Sequence, residues 1–410
     1  MRSALPLAAA AALIAVVPVT AVPASAAASP PPAPGPARPG PAPLVKVAGA
    51  IPGQYIVSLS SGVSPSTMTA RAGVKPMYTY TRAHPGFAAR LTPAQLDVIR
   101  DQPGVEAVEQ DATVTMPRDM RGAAPARPGP VTKVAEVPWN LSRIDGREAG
   151  RVGYSVKATG AKVRAYIIDS GIELEHPEFG GRAVAGAGFV DDGRGARDCA
   201  GHGTHVAGTV GGARSGVAKR TTLVSVRVFD CAGLTTNSTV IAAVNWVAEH
   251  ARPPAVANLS MGGPRSAAVD RAVEDLAGAG VFPVVAAGNS DADACTVSPA
   301  AARSGFTVGA VDRRDRRAPF SNWGRCVKIN APGVDIRSAH LKGTFRELSG
   351  TSAAAPHVTG VAALYKDARG DAPYATLASW LTRNATGGMD TSRSGAPTGT
   401  PPLLVSTGDL

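Results

Sequence analysis

The sequence predicts an α/β fold with a mostly parallel central sheet in three layers, preceded by a small α+β domain. Beyond residue 137, short and nearly continuous apolar runs of strand length alternate with segments of helix length. Strands that are apolar on both sides indicate a parallel sheet covered by helices on both faces. Residues 51–116 instead show two strand patterns around one helix pattern, which is typical of a compact α+β unit.

The first 26 residues have the pattern of a secretory signal. Arg2 is followed by an apolar run and then by Ala24-Ser25-Ala26, an A-x-A cleavage site. Prolines interrupt the run, and no later stretch is apolar enough to span a bilayer. We therefore expect a secreted, extracellular protein without a stable membrane anchor. Residues 27–50, rich in Pro and Ala, are expected to form a spacer.

The next two segments differ in composition. Residues 54–59 alternate like a strand, residues 91–100 have a helical pattern, and residues 105–109 again predict a strand. Residues 117–136 are rich in Pro, Arg, Gly and Ala without a hydrophobic period. They are predicted to be an exposed linker and a site of processing.

Residues 137–410 form the predicted large domain. Strands are expected at 163–168, 222–228, 256–259, 281–286 and 306–311, and helices at 237–250, 267–279 and 351–366. In open α/β sheets, functional sites gather at the carboxyl ends of the strands.

The charge pattern argues against a nucleic-acid partner. The net charge is +11, but residues 1–134 carry 12 Lys and Arg against 6 Asp and Glu, so about half of the excess lies in segments expected to be removed. Residues 312–317 alternate in sign without aromatic side chains, which indicates a solvated turn. The four cysteines are expected in an oxidising compartment, where three pairings are open, and no Cys/His cluster suggests zinc.

Three residues are candidates for nucleophilic catalysis. Asp169 ends a buried strand, His202 lies among small residues, and Ser352 follows a Gly-Thr turn at the start of a buried helix. Each alone has an ordinary alternative: a turn Asp, a structural His or a helix-capping Ser. His205 we interpret as structural, because this His-Gly-Thr-His segment lacks the ligands of a metal site. The chain order Asp, His, Ser is that of subtilisin, which favours a catalytic triad.

On these residues the sequence resembles the subtilisin-like serine proteases, or subtilases, and most of all their proteinase K branch. The motifs that carry the resemblance lie at residues 168–172, 201–209, 286–289 and 350–358. The resemblance covers residues 137–405 and implies the subtilisin-like three-layer fold. Residues 51–116 resemble the family's inhibitory propeptide.

The resemblance implies a role for each site residue. Ser352 is then the nucleophile, His202 the general base and later acid, and Asp169 the group that orients the imidazole. Asn289 matches the oxyanion-hole side chain, which works with the Ser352 N–H. Segments that resemble the substrate-binding strands and the primary specificity pocket contain Gly233, Leu234, Ser260, Met261, Gly262, Ala286, Ala287, Gly288, Ser298, Pro299 and Ala300. The pocket walls are small and uncharged, which favours an apolar or aromatic P1 side chain.

The resemblance also implies disulfides Cys199–Cys231 and Cys295–Cys326 and no cofactor for catalysis. Two positions depart from the family pattern. Ala353 stands where most members have Met, and Lys328 stands where proteinase K relatives often place a calcium-binding Asp. A different calcium loop, formed by Asp191, Asp192 and Asp198, is an alternative to solvated loop acids, although Arg194 and Arg197 lie within it.

The sequence therefore predicts a secreted, monomeric serine endopeptidase made as an autoprocessed precursor. Its expected partners are protein and peptide substrates and its own propeptide, which acts as an intramolecular inhibitor and folding aid. Two alternatives belong to other classes. A catalytically silent binding module would lack a triad residue or the oxyanion Asn, and a serine esterase would carry the absent G-x-S-x-G turn.

Overall fold

The computed structural model describes residues 40–118, 137–146, 153–390 and 399–410. The expected secretory signal, residues 27–39 of the expected spacer and residues 119–136 of the expected linker lie outside the described residues. Within the described part of the chain, no helix is both long and apolar enough to cross a membrane.

The first domain is a sheet with two helices on one face. Its strands are β1 (Leu44–Val45), β2 (Ala50–Leu59), β3 (Pro76–Tyr80), β4 (Gly86–Arg90) and β5 (Val105–Thr115), and its helices are α1 (Pro65–Arg71) and α2 (Pro93–Arg100). The strand order is β1-β5-β2-β4-β3, with β1 parallel to β5 and the other pairs antiparallel.

The start of this domain differs from the prediction. β1 lies within residues 27–50, which the sequence predicts to be a spacer, because Leu44 pairs with Val108 of the distant strand β5. At α2, Thr92 and Gln95 form a reciprocal capping box and Pro93 occupies the first turn. These residues explain why the helix begins at Pro93 instead of Leu91.

The second domain contains the remaining elements. Its helices are α3 (Trp139–Asp145), α4 (His202–Gly211), α5 (Asn237–His250), α6 (Ala267–Gly278), α7 (Thr351–Arg369) and α8 (Tyr374–Arg383). Its strands are β6 (Arg164–Asp169), β7 (Ala183–Gly188), β8 (Thr222–Arg227), β9 (Leu234–Thr236), β10 (Ala255–Leu259), β11 (Gly263–Pro264), β12 (Phe282–Ala286), β13 (Val297–Ser298), β14 (Phe306–Val311), β15 (Ile329–Pro332), β16 (Ile336–His340), β17 (Thr344–Leu348), β18 (Thr386–Gly387) and β19 (Leu403–Leu404).

Nine of these strands form the central sheet, in the order β18-β19-β15-β14-β12-β10-β6-β8-β7. All neighbours are parallel except β18 and β19. The predicted parallel α/β sheet is confirmed.

Helices cover both faces of the sheet, because the side chains of each strand alternate between two cores. In β6, Ala165 and Ile167 join the core beneath α4, α7 and α8, whereas Tyr166 and Ile168 join the core beneath α5 and α6. The first domain packs against the α5–α6 side and contributes Tyr80 to this second core. The helices thus give the three layers that the sequence predicts.

Candidate active site

Asp169 and His202 meet at the carboxyl edge of the sheet. Asp169 ends β6, His202 begins α4, and His202 Nδ1 lies 2.7 Å from Asp169 Oδ1. Asp169 is fully buried, and its Oδ1 also accepts a hydrogen bond from the Ser170 N–H at 2.7 Å. A buried carboxylate on Nδ1 fixes the imidazole so that Nε2 is the nitrogen left for chemistry.

The electrostatics of His202 suit a general base. Burial lowers the pKa of the His202 imidazole, but the charge of Asp169, their hydrogen bond and the charge of Asp198 together raise that pKa above its ordinary value. Protonation of the imidazole is therefore favoured once it receives a proton from a nucleophile.

Asp198 organises the start of α4. Its carboxylate accepts hydrogen bonds from Ser170 Oγ, the Ala200, Gly201 and Thr204 N–H groups and Thr204 Oγ1, at 2.6–2.9 Å. Both oxygens are thus engaged in holding the turn before His202. From the sequence, Asp198 was either a calcium-loop residue or a solvated loop acid. Its position in the turn before a helix is the signal that indicates the role seen here.

The predicted calcium loop is not formed by these residues. Asp192 makes a two-pronged ion pair with the fully buried Arg227, at 2.8 and 2.7 Å, and its hydrogen bond to Arg227 lowers the pKa of Asp192 to about 2. Because Asp198 points to the α4 turn, the oxygens of Asp191, Asp192 and Asp198 do not converge on one cation site. Arg227 supplies the charge that the sequence-based hypothesis gave to calcium.

Ser352 lies in the first turn of α7, buried against the sheet edge. Its carbonyl accepts a hydrogen bond from Ser260 Oγ at 2.8 Å, which ties the helix start to the end of β10. Among the described residues, no hydrogen bond joins Ser352 Oγ to His202. Such bonds often close only when a substrate is bound.

Asn289 and Ser352 surround a small space beside Gly350. A Cβ atom placed on Gly350 would lie 3.0 Å from Ser352 Oγ, 3.2 Å from Asn289 Nδ2 and 3.7 Å from the Ser352 nitrogen. Asn289 Oδ1 accepts from the Thr351 N–H at 2.8 Å and from Thr351 Oγ1 at 2.7 Å. These two bonds leave the amide donor Nδ2 directed at the space, where two N–H donors and one hydroxyl converge.

The first domain fills the cleft that leads to this site. β5 pairs with β9 in antiparallel fashion, and the Met116 N–H donates to the Gly233 carbonyl at 2.7 Å. On the other side, Val114 Cγ2 lies 3.1 Å from the position of a Cβ atom on Gly263, in β11. Residues 114–116 therefore lie as an extended strand between the two predicted substrate-binding segments, and the Leu234 side chain stays exposed at the rim.

The predicted substrate-binding segment at residues 260–262 lies beside the cleft, but not all of its side chains face it. Ser260 is buried and receives a hydrogen bond from Asn258 Nδ2 at 2.8 Å, and Gly262 precedes β11. Met261, predicted to bind substrate, packs its side chain into the core beneath α5 and α6 and is only 1% exposed. Its side chain therefore does not line the cleft.

The predicted specificity pocket is assembled from β12 and β13. Ser298 pairs with Gly263, and Ala287 and Ala300 share one small apolar cluster. Ala286, also buried, ends β12. Gly288 has a φ of +101°, and a Cβ atom there would lie 2.4 Å from Asn322 Nδ2, so only glycine fits.

Two disulfides flank the site. The structure joins Cys199 to Cys231 and Cys295 to Cys326, with Cα–Cα distances of 5.3 and 5.4 Å. The first lies next to Arg227, whose Nη2 is 3.3 Å from Cys199 Sγ. This disulfide and the Arg227–Asp192 pair together fix the loop that leads to His202.

Comparisons with known proteins agree with this geometry. Residues 160–399 match the model of the subtilase family, and residues 54–117 match that of the peptidase inhibitor I9 family. The chain is 48% identical to alkaline serine exoprotease A of Vibrio alginolyticus over 68% of its length, but it spans only 51% of that relative. It is 42% identical to an extracellular serine proteinase of Thermus sp. (strain Rt41A), covering 79% of this chain and 83% of the relative. A crystal structure of a cold adapted subtilisin-like serine proteinase superposes with a TM-score of 0.64 at 45% identity, covering 66% of this chain and 98% of that one.

Proposed function

Because the chain belongs to the subtilase family of serine endopeptidases, we propose that it hydrolyses peptide bonds with Ser352 as nucleophile. His202 Nε2 takes the Ser352 hydroxyl proton while Oγ attacks the scissile carbonyl carbon, and Asp169 holds the resulting imidazolium. The imidazolium then gives the proton to the leaving amine as the C–N bond breaks. Water then attacks the acyl-enzyme while His202 takes its proton. His202 returns a proton to Ser352 Oγ as the ester bond breaks.

The convergence of donors beside Gly350 carries this proposal. Asn289 Nδ2 and the Ser352 N–H border the space next to the nucleophile, where the carbonyl oxygen gains negative charge. Donors fixed in advance stabilise that charge in the transition state, and losing one typically costs about 10²- to 10³-fold in kcat. A silent binding module has no need for such an arrangement.

We further propose that the first domain is an inhibitory propeptide removed by the enzyme itself. Its β5 strand fills the cleft as a substrate would, and the expected linker follows directly. The name of the Thermus relative supports secretion of this chain, together with the signal pattern in residues 1–26.

The pocket residues support a broad preference for apolar or aromatic P1 side chains. Its walls, Ala286, Ala287, Gly288, Ser298 and Ala300, present no carboxylate, and burying an unpaired Lys or Arg is unfavourable. Profiling the processed enzyme with a peptide library should give cleavage after apolar and aromatic residues, abolished by a serine-directed inhibitor. Dominant cleavage after Lys or Arg would contradict this assignment.

A further inference from the structure

We propose that the mature enzyme recruits acidic residues of extended substrates at the N-termini of α6 and α5, upstream of the cleaved bond. The inference rests on the proposed function, since the acidic residues belong to the strand that enters the catalytic cleft. The propeptide occupies both helix ends in the precursor and vacates them when it leaves.

The α6 end already holds a carboxylate. Glu109 of β5 accepts hydrogen bonds from Ser266 Oγ and from the N–H groups of Ala267 and Ala268, at 3.0 and 3.3 Å for the two backbone donors. The Glu109 side chain is almost completely buried, and all of these donors come from the enzyme domain. When the propeptide departs, the donors remain with the enzyme and become open to solvent or to another carboxylate.

The α5 end holds a second carboxylate. Asp111 Oδ1 accepts from the Ser238 N–H at 3.0 Å, while its Oδ2 accepts from Gln54 of the propeptide at 2.7 Å. In the residues around this helix start, Thr235 Oγ1 and Asn237 Nδ2 are buried and have no hydrogen-bond partner in the described part of the chain. Buried polar atoms without a partner are rare, and these two stay unpartnered with Asp111 in place, so the precursor does not use the full hydrogen-bonding capacity around the start of α5.

The geometry of a strand explains why one substrate reaches both ends. Glu109 and Asp111 are alternate residues of β5, so their side chains point to the same face. Gln110, between them, instead accepts from Val47 N–H within the propeptide at 3.4 Å. Residues 113–115 of β5 pair with β9, so Asp111 and Glu109 lie two and four residues upstream of the paired segment. A substrate strand that keeps this direction upstream of β9 would reach both helix ends.

Neighbouring side-chain charges largely cancel. Asp270, in the first turns of α6, opposes an incoming carboxylate, but it pairs with Arg265 at 3.1 Å. Arg271 pairs with Asp275 at 3.2 Å and lines, with Glu109, Ala267 and Ala268, a cavity of about 160 Å³ at the interface. The attraction is therefore supplied by the helix N–H groups and their dipoles, which favour anions.

The test uses the processed wild-type enzyme and fluorogenic peptides that reproduce residues 107–118. One peptide keeps the acidic pair at positions 109 and 111, a second carries Gln and Asn there, and a third carries Lys at both. We expect kcat/KM on the order of tenfold higher for the acidic peptide than for the amide peptide, through KM, and a smaller ratio in high salt. Equal values, a Lys preference or a difference confined to kcat would overturn the proposal.

Two further measurements distinguish a failure of catalysis from a failure of acidic-residue recruitment. A short peptide without the upstream residues reports on catalysis alone, so its failure would refute the proposed function and not the recruitment. Ala267→Pro removes one N–H donor at the first helical position, where proline is tolerated and Ser266 already has the extended backbone that precedes proline. This variant should reduce the acid-to-amide ratio several-fold, whereas Ala267→Ser, which keeps the N–H, should preserve it. An unchanged ratio in Ala267→Pro would exclude the α6 terminus.

Discussion

Asp198 shows how a residue that never touches substrate shapes the catalytic base. It fixes the turn before α4 through hydrogen bonds to backbone and hydroxyl donors, and its charge raises the pKa of His202. Because the base must be neutral to accept a proton, activity is lost as pH falls through the raised pKa. Asp198 therefore holds the turn before His202 and adds to the larger effect of Asp169 on the acidic limit of activity.

Replacing Asp198 separates these two effects. In Asp198→Asn the negative charge is gone, so the pKa of His202 falls and the acidic limb of the kcat/KM profile moves to lower pH. The amide also places N–H groups against the Thr204 donors, and the resulting shift of His202 should lower kcat/KM at neutral pH by roughly 10- to 100-fold. A pH–rate profile checks the first effect; an acidic limb that stays in place would show that Asp198 acts on His202 only through position.

Ala353, next to the nucleophile, predicts resistance to peroxide. Ala353 is buried and has no sulfur, and Met261, the methionine of the predicted substrate-binding segment, is enclosed in the core. Residual activity on a small peptide substrate after graded peroxide should stay high in the native enzyme and fall much faster in Ala353→Met, because a sulfoxide is larger and polar. Equal inactivation of the two proteins would point to another oxidisable group.

Which site residues the sequence predicts depends on how local their signals are. Asp169, His202, Ser352 and Asn289 each lie in a short motif, and the structure brings Asp169 to His202 and Asn289 to Ser352. The partner of Asp192, Arg227, lies 35 residues away and meets it only after folding, whereas most partners of Asp198 lie within six residues of it. From sequence alone, the acidic residues of this loop could bind a cation or face solvent. The structure shows that Asp192 pairs with Arg227.

The same limit applies to secondary-structure elements. The long helix at 237–250 and the buried strands are marked by apolar periodicity within the segment, and they agree with α5, β6, β8, β10, β12 and β14 to within a few residues. The helix α4 was not predicted, because its glycines and small residues lack a hydrophobic period. β1 was not predicted, since its two residues become a strand only through pairing with β5, and β9 was expected only through the family resemblance at Gly233 and Leu234.

The element around Cys199–Cys231 should be a main source of stability. The two residues are separated by 32 positions, for which the chain-entropy model gives about 3–4 kcal/mol. Replacing both with Ser should lower Tm by roughly 5–15 °C, measured by calorimetry in a Ser352→Ala background that prevents self-cleavage. The matched control is the Cys295–Cys326 pair, separated by 31 positions. No change in Tm for either double variant would show that the unfolded chain is not constrained by these bonds.

At the scale of the whole molecule, the propeptide and the enzyme domain share one hydrophobic core and one sheet, in which β5 pairs with β9. Tyr80 packs beneath α5, with its hydroxyl donating to the Ser238 carbonyl at 2.9 Å, and Asn245 Oδ1 accepts from three successive propeptide N–H groups of Thr81, Arg82 and Ala83. Release therefore needs cleavage after β5 and loss of this interface. Cutting the chain alone leaves the inhibitor docked.

Loss of the nucleophile should stop maturation at its first step. Ser352→Ala, expressed in a host that lacks other proteases, should accumulate as the uncleaved precursor, because the variant lacks the proposed nucleophile. Intact mass spectrometry of the product gives the answer directly. Normal processing of this variant would show that another enzyme makes the cut; the wild-type chain is the control and should yield two fragments.

Once β5 leaves, β9 becomes an open sheet edge. In the precursor, the main-chain N–H and C=O groups of β9 form hydrogen bonds with β5. Such main-chain hydrogen bonds depend little on the side chains of the paired strand. Any extended peptide can then dock there, including loosely folded stretches of another copy of the enzyme. A broad substrate range therefore brings self-digestion with it. Because one copy cleaves another, concentrated solutions of the free enzyme should lose intact protein with second-order kinetics.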